Sequence, residues 1–418
     1  MSGNWPPCGP VLARGLPAQP EPSRVRVLHV ITRFTAGAGG NTLLSAAGMD
    51  PQRYEVWVAG CPGGDLWERA RDSGVHTVEL AGFTEVISPV ADIKVLRQLL
   101  RLIREVRPTI VHTHSAKGGF LGRLAASLSN VPVVIHTFHG FSVYPGMPAG
   151  RRRTYLLLER FVAKRAHAFA AVAPRVAWEA VELRLAAPGK VTVVPSAVEL
   201  AHIENARPAD LGTLLGLPGR GPIVGTVGRI DNQKQPLDFV RVAAAVQRHR
   251  PDVRFVMVGD GPLRVDVERE AARLGASVFL TGQRDDAPII AAGFDAYLVT
   301  SAYEGLGRAL TEALASARPV VATAVNGIPD LVHPGATGLL AEPGDIEGMA
   351  SMLSWLLDHP AEAAAMGRAG QARVLGHFSP ERMCADLDTL YCRMLGLPEP
   401  ERAESFAGAA LPALEVVR

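Results

Sequence analysis

The chain has 418 residues, more than one α/β domain of ordinary size carries, so two lobes with a cleft between them are expected. Hydrophobic residues at 48% and charged residues at 20% exclude a wholly disordered chain, and a formal net charge of +2 provides no basic field for nucleic acid. Cys8, Cys61, Cys384 and Cys392 form no Cys-x-x-Cys pair, and no run of about 18 apolar residues occurs; a reduced cytoplasmic protein without export signal or membrane span is expected.

Residues 1–24 are crowded with proline and short polar side chains that cannot pack a core, and they read as a disordered leader. A buried strand follows over 25–31, then the glycine-rich turn Ala36-Gly37-Ala38-Gly39-Gly40 and a helix from about Asn41. Strands over 54–59 and 76–80 flank a helix over 65–73. An amphipathic helix over 93–106 precedes two more buried strands, 108–114 and 131–137. After a Pro- and Gly-containing linker over 207–221, a second series offers strands over 222–227, 253–258, 278–280, 296–299 and 319–322, separated by helical stretches. A last helix near 380–394 leads into a tail rich in alanine, proline and glutamate. Strands that alternate with helices imply parallel sheets covered on both faces, with ligands beyond the carboxyl ends of the strands. The expected layout is a leader over 1–24, Rossmann-like α/β domains over 25–205 and 206–378, a helix over 379–394 and a flexible tail over 395–418.

The most informative segment runs from Tyr303 through Glu304-Gly305-Leu306-Gly307 to Glu312-Ala313-Leu314-Ala315, directly after an apolar strand. If Gly305 to Gly307 open a helix, their unpaired N–H groups and the helix dipole make an anion site that fits a diphosphate. Glu304 and Glu312 on one helix would be separated by roughly 12 Å along its axis, the span from a donor sugar to its ribose. The second signal is Gly228-Arg229 followed by Lys234 on a loop entering a helix, where two cations can offset the charge on a departing diphosphate without a metal. No Asp-x-Asp stands at a strand end, and Asp285-Asp286 has no third ligand in view. In the first half, Gly39 and Gly40 would let backbone approach a phosphate or merely form a tight turn. His112 and His114 share a strand face, with His114 nearer the carboxyl end and the cleft, and His139 follows another strand. Each can bond a sugar hydroxyl or be a satisfied core histidine.

Together these residues resemble the retaining glycosyltransferases of family 4, whose two facing Rossmann-like domains are called GT-B. The resemblance spans about residues 25–394 and rests on Gly39-Gly40, His114, His139, Gly228-Arg229 with Lys234, Val258-Gly259-Asp260-Gly261-Pro262-Leu263 and Glu304-x7-Glu312 in that order. It implies that Arg229 and Lys234 contact the donor diphosphate, Glu312 the ribose and Glu304 the sugar hydroxyls. Gly305, Leu306 and Gly307 would give backbone contacts, Arg284 would lie near the base, His139 would border the sugar and Gly40 would approach the phosphate on closure. It also implies a last helix that crosses back to the first lobe. Pro195-Ser196-Ala197-Val198-Glu199, Leu306 and Thr311 depart from the family's usual residues.

The function expected is retaining transfer of a hexose-type sugar from a nucleotide diphosphate sugar, UDP being the commonest in the family, to an acceptor hydroxyl, with no cofactor and no metal. A nucleotide-sugar epimerase of the same fold and a non-catalytic nucleotide-sugar binder are the alternatives. A nicotinamide dehydrogenase is disfavoured because no G-x-G-x-x-G follows the first strand. Residues 150–165 combine Arg151-Arg152-Arg153, Lys164 and Arg165 with apolar residues at helical spacing; this segment can contact an anionic membrane or pack on the first lobe with a basic outer face.

Overall fold

The computed structural model describes residues 24–35, 37–144, 146–199, 203 and 210–400. The leader apart from Arg24, the tail beyond Pro400 and most of the segment joining the two halves lie outside the described residues. The first sheet contains β1 (Val25–Val30), β2 (Tyr54–Gly60), β3 (His76–Glu79), β4 (Ile110–His114), β5 (Val133–Phe138), β6 (Ala168–Ala171) and β7 (Val191–Val193). The second contains β8 (Ile223–Val227), β9 (Arg254–Val258), β10 (Val278–Gly282), β11 (Ala296–Val299), β12 (Val320–Thr323) and β13 (Leu339–Ala341). Their orders are β3-β2-β1-β4-β5-β6-β7 and β10-β9-β8-β11-β12-β13, with every named strand pair parallel. Chain order reverses between β1 and β4 in one sheet and between β8 and β11 in the other, and at such switch points a crevice opens beyond the carboxyl ends.

β6, β7 and β13, four, three and three residues long, had no counterpart among the expected strands. Runs that short carry no readable alternation; only their neighbours in the sheet define them. The amphipathic helix begins at Pro89 rather than Ile93, because proline fits a first helical turn, and it buries Val95, Leu99, Leu102, Ile103 and Val106. The first helix covers Ala38–Ala47, so Gly39 and Gly40 lie inside its first turn and not in a loop ahead of it. Glycine is a poor helix former, and its use there reflects what packs on it. A Cβ on Gly39 would lie 3.1 Å from the Phe34 carbonyl carbon, and one on Gly40 would lie 1.8 Å from Arg308 Nη1 of the other lobe.

The last helix, Pro380–Leu395, starts where the Ser379 side chain accepts the Arg382 N–H and Pro380 occupies the first turn. Its Met383, Leu387, Leu390 and Tyr391 join the core made by Val27, Tyr54 and Val56 of the first sheet, and Asp388 pairs with Arg53. This last helix thus packs on the lobe that contains β1. A further apolar cluster is continuous between lobes, with Phe138 and Val176 on one side and Leu306, Leu310 and Ile328 on the other.

Candidate active site

At the second lobe's switch point, β8 is followed by Gly228, whose missing side chain lets Lys234 fold over it; a Cβ there would meet Lys234 Cε at 3.2 Å. Lys234 Nζ donates to Glu304 Oε1, and Ser301 Oγ donates to the same oxygen at 3.1 Å. The Gln233 amide donates to the Tyr303 carbonyl at 3.2 Å, and the Glu304 N–H donates to Asn326 Oδ1 at 2.9 Å. Glu304 is thereby buried but held from several directions. Arg229 pairs with Asp231 at 2.9 Å while 63% of its side chain stays exposed, free to turn toward a ligand. Arg229, Lys234, Glu304, Gly228 and Gly307 line one cavity of about 480 Å³, floored by Tyr297 and Phe239.

The facing edge of the first lobe is made of histidines. His29 Nδ1 and His114 Nε2 are 2.9 Å apart, as are His114 Nδ1 and His139 Nε2. His112 is hydrogen-bonded to the Tyr391 hydroxyl and to Thr137 Oγ1, each at 2.6 Å. Burial keeps these rings neutral, pushing His29 down to about 3 and His139 to about 4, and His112, His114 and His136 well below the usual imidazole range. Among the described residues, ring nitrogens of His29, His112 and His114 lie within 4.8 Å of one another, the one group near enough to share an ion. A cation there would have to displace hydrogen bonds that both nitrogens of His112 and of His114 already make.

The lobes meet at the site. A Cβ on Gly305 would lie 1.8 Å from the His139 carbonyl oxygen, so only glycine fits opposite that carbonyl. Tyr144 stacks on Tyr303 with ring centroids 4.9 Å apart, and Asn326 Nδ2 donates to Glu179 Oε2 at 2.7 Å. Asp330 accepts the Arg175 N–H at 2.8 Å, and burial raises its carboxyl to about 6.

The structure thus brings Arg229, Lys234, Glu304, Gly228 and Gly307 together and sets Gly305 against His139. Three expectations need correction. The helix that carries Glu312 starts at Arg308, with Gly307 at φ 86° ahead of it, so Glu304 lies off the helix and the axial-rise estimate does not apply. His114 is 1% exposed with both ring nitrogens committed, so it backs His139 rather than reaching the cleft. Gly40 faces Arg308 of the other lobe in the present arrangement, not an open phosphate path. Leu306 sends its side chain into the core and leaves only backbone for a ligand. Arg284 holds Asp286 through two 2.7 Å hydrogen bonds and does not line the cavity. Thr311 suits its buried place because its hydroxyl donates to the Gly307 carbonyl at 3.1 Å. Ser196 and Ala197 both donate to Asn41 Oδ1, at 2.7 and 3.1 Å, which anchors that departure from the family's residues.

Sequence reasoning missed Arg308, Asn326 and Asp231. Arg308 donates to Glu312 at 3.0 Å, and its four-residue spacing from Glu312 was the legible signal. Asn326 stands at φ 41°, a conformation asparagine tolerates better than most residues, and nothing in its sequence context marks it.

Residues 36–197 match the family described as glycosyl transferase 4-like domain and residues 221–359 the family described as glycosyl transferases group 1. An Escherichia coli UDP-Gal:alpha-D-GlcNAc-diphosphoundecaprenol alpha-1,3-galactosyltransferase is 30% identical over 344 residues, covering 80% of this chain and 89% of that protein. A Streptomyces kanamyceticus 2-deoxystreptamine glucosyltransferase is 33% identical over 288 residues, 66% of this chain and 74% of its own. In fold, the chain is similar to Anabaena HepE in complex with UDP and glucose, at TM-score 0.74 and 18% identity over 87% of this chain and 98% of that one. It is also similar to sucrose-phosphate synthase from Thermosynechococcus elongatus, at TM-score 0.75 and 22% identity over 89% and 100%. With two GT-B lobes and both family matches, the chain belongs to the group 1 glycosyltransferases of family 4 and is a glycosyltransferase.

Proposed function

We propose that this enzyme moves a hexose-type sugar from a UDP-sugar to an acceptor hydroxyl with retention of anomeric configuration and without a metal. The observation that carries the proposal is the shared cavity: Arg229 and Lys234 converge there with the Glu304 carboxylate and Gly307. Arg229 and Lys234 offset the charge that builds on the departing diphosphate, taking the part a divalent cation would otherwise play. Glu304 holds sugar hydroxyls, Glu312 the ribose, Arg284 the rim near the base, and His139 borders the sugar from the opposite lobe. The acceptor attacks from the leaving-group face and passes its proton to the departing phosphate, so no enzymic base is needed. In line with this reading, the E. coli relative is named for a UDP-sugar donor.

The acceptor enters from the first lobe, where a second cavity of about 430 Å³ is lined by His139, Phe141, Ser142 and Glu159. The helix Ala149–Ala163 leaves Leu157, Leu158 and Phe161 exposed beside Arg151, Arg152 and Arg153. That face suits a peripheral seat on an anionic membrane from the cytoplasmic side. Among the described residues no helix is long and apolar enough to cross a membrane.

A panel of nucleotide sugars read by thermal shift and then turnover tests the donor, and NMR of the product tests the anomer. Stabilisation by UDP-sugars and a retained anomer are expected. Inversion refutes the mechanism, turnover without acceptor refutes transfer in favour of epimerisation, and chelator-sensitive turnover refutes metal independence. Sedimentation with anionic vesicles at low salt tests the membrane seat, which fails if Leu157→Ser with Phe161→Ser leaves binding unchanged.

A further inference from the structure

His29, His114 and His139 form one line from the core to the cleft, joined by two hydrogen bonds of 2.9 Å. His29 sits on β1 and His114 on the adjacent β4, at the first sheet's switch point, while His139 follows β5. His112 stacks on His114 with ring centroids 4.5 Å apart, itself fixed by Tyr391 and Thr137, which holds the plane of the middle ring.

A neutral imidazole carries one proton on two nitrogens, so it donates through one and accepts through the other. His114 uses both nitrogens in the line, and the direction of one bond therefore fixes the other. If donation runs inward, from His139 to His114 to His29, then His29 must carry its proton on Nε2. That atom is buried and has no partner among the described residues. If donation runs outward, the unpartnered Nε2 carries only a lone pair, and His139 accepts through Nε2 and holds its proton on Nδ1. Orphaned buried N–H donors are rarer in proteins than under-satisfied acceptors, so the outward direction is favoured.

We propose that His29 and His114 are positioning residues that set His139 in its Nδ1–H tautomer, so that it meets the donor sugar as a hydrogen-bond donor. The part about the sugar rests on the function proposed above; the tautomer does not. His139 then offers its proton to a hydroxyl oxygen, an arrangement complementary to the Glu304 carboxylate, which can only accept.

The test is a long-range ¹H–¹⁵N correlation spectrum at pH 7.5 on the full chain labelled with ¹⁵N-histidine, the His139 signals being assigned by their loss in His139→Gln. Nδ1–H is expected for His29, His114 and His139, and an Nε2–H signal from His139 overturns the proposal. For the positioning role, His114→Phe is expected to lower kcat about tenfold, the worth of one neutral hydrogen bond, with nucleotide Kd unchanged. His114→Gln, whose amide can donate to His139, is expected to recover most of that loss. Unchanged kcat in His114→Phe overturns the role; if that variant fails to fold, the spectrum of the unaltered protein still decides. The spectrum needs no substrate, so a wrong tautomer is distinct from failure of the transferase reading, which shows as no turnover by the parent protein.

Discussion

The two edges that face each other across the cleft solve the same task by opposite chemistry. On the second lobe the cations nearest the cleft are matched to acids, Arg229 to Asp231, Lys234 to Glu304 and Arg308 to Glu312. On the first lobe the polar groups are neutral imidazoles bonded to one another, to Thr137 and to Tyr391. Ion pairs that retain some solvent contact can exchange partners, so an arriving diphosphate can take Lys234 and Arg229 from their carboxylates. A desolvated line of imidazoles cannot charge cheaply. On the proposed function, the difference gives charge compensation to one lobe and orientation to the other.

Acid should break that comparison most strongly. Each of His29, His112, His114, His136 and His139 has a folded pKa below its unfolded value, so the stability it contributes is complete above the unfolded pKa near 6.5 and is lost as pH falls toward the folded value. Each contributes a slope of up to about 1.4 kcal/mol per pH unit in that window, against a typical total stability of about 5–15 kcal/mol. Asp330, raised to about 6, works the other way between its unfolded 3.8 and that value, and Glu179, also raised by burial, acts in the same sense, two groups against five. Thermal melting at pH 7.5, 6.5 and 5.5 is expected to show a steep fall, and a constant Tm down to pH 5 contradicts the neutral histidine edge.

The charged edge is sharpened by removing one partner at a time. Lys234→Ala and Glu304→Ala are each expected to lower kcat/KM about 10²–10³-fold, and the double variant should lose less than the sum because the two side chains share one pair. Steady-state kinetics of all three variants measures the coupling, and strict additivity would separate the roles. Gly305→Ala drives a Cβ toward the His139 carbonyl, where neither backbone can yield easily, and should cost about 10² in kcat while the isolated fold persists. Wild-type turnover in that variant would mean the lobes do not meet this way during catalysis. The smallest effect belongs to Glu312→Ala, which should weaken nucleotide binding about tenfold by calorimetry and leave kcat nearly unchanged.

Most of the architecture was legible because period and order are local properties. The runs at 25–31, 108–114 and 222–227 declared buried strands, and their alternation with helices implied parallel sheets. The order of Arg229, Lys234, Glu304 and Glu312 pointed to the residues proposed for the second lobe's chemistry, the first three lying in the loops that follow β8 and β11 and Glu312 inside the helix Arg308–Ala315. The first-lobe site was less legible: His29 lies within an apolar run that reads as plain strand, so nothing at sequence level linked it to His114, 85 residues away.

By itself, then, the amino-acid sequence determined two α/β lobes and the family, and it singled out the cations and carboxylates proposed to hold the donor, because each depends on spacing within a short segment. Only the tertiary structure decided that Glu304 leaves the helix, that Gly40 lies beneath Arg308, that Gly305 abuts His139 and that three histidines form one line. Those contacts join residues far apart in the chain, and their geometry is set by sheet register and lobe packing, which no local pattern records.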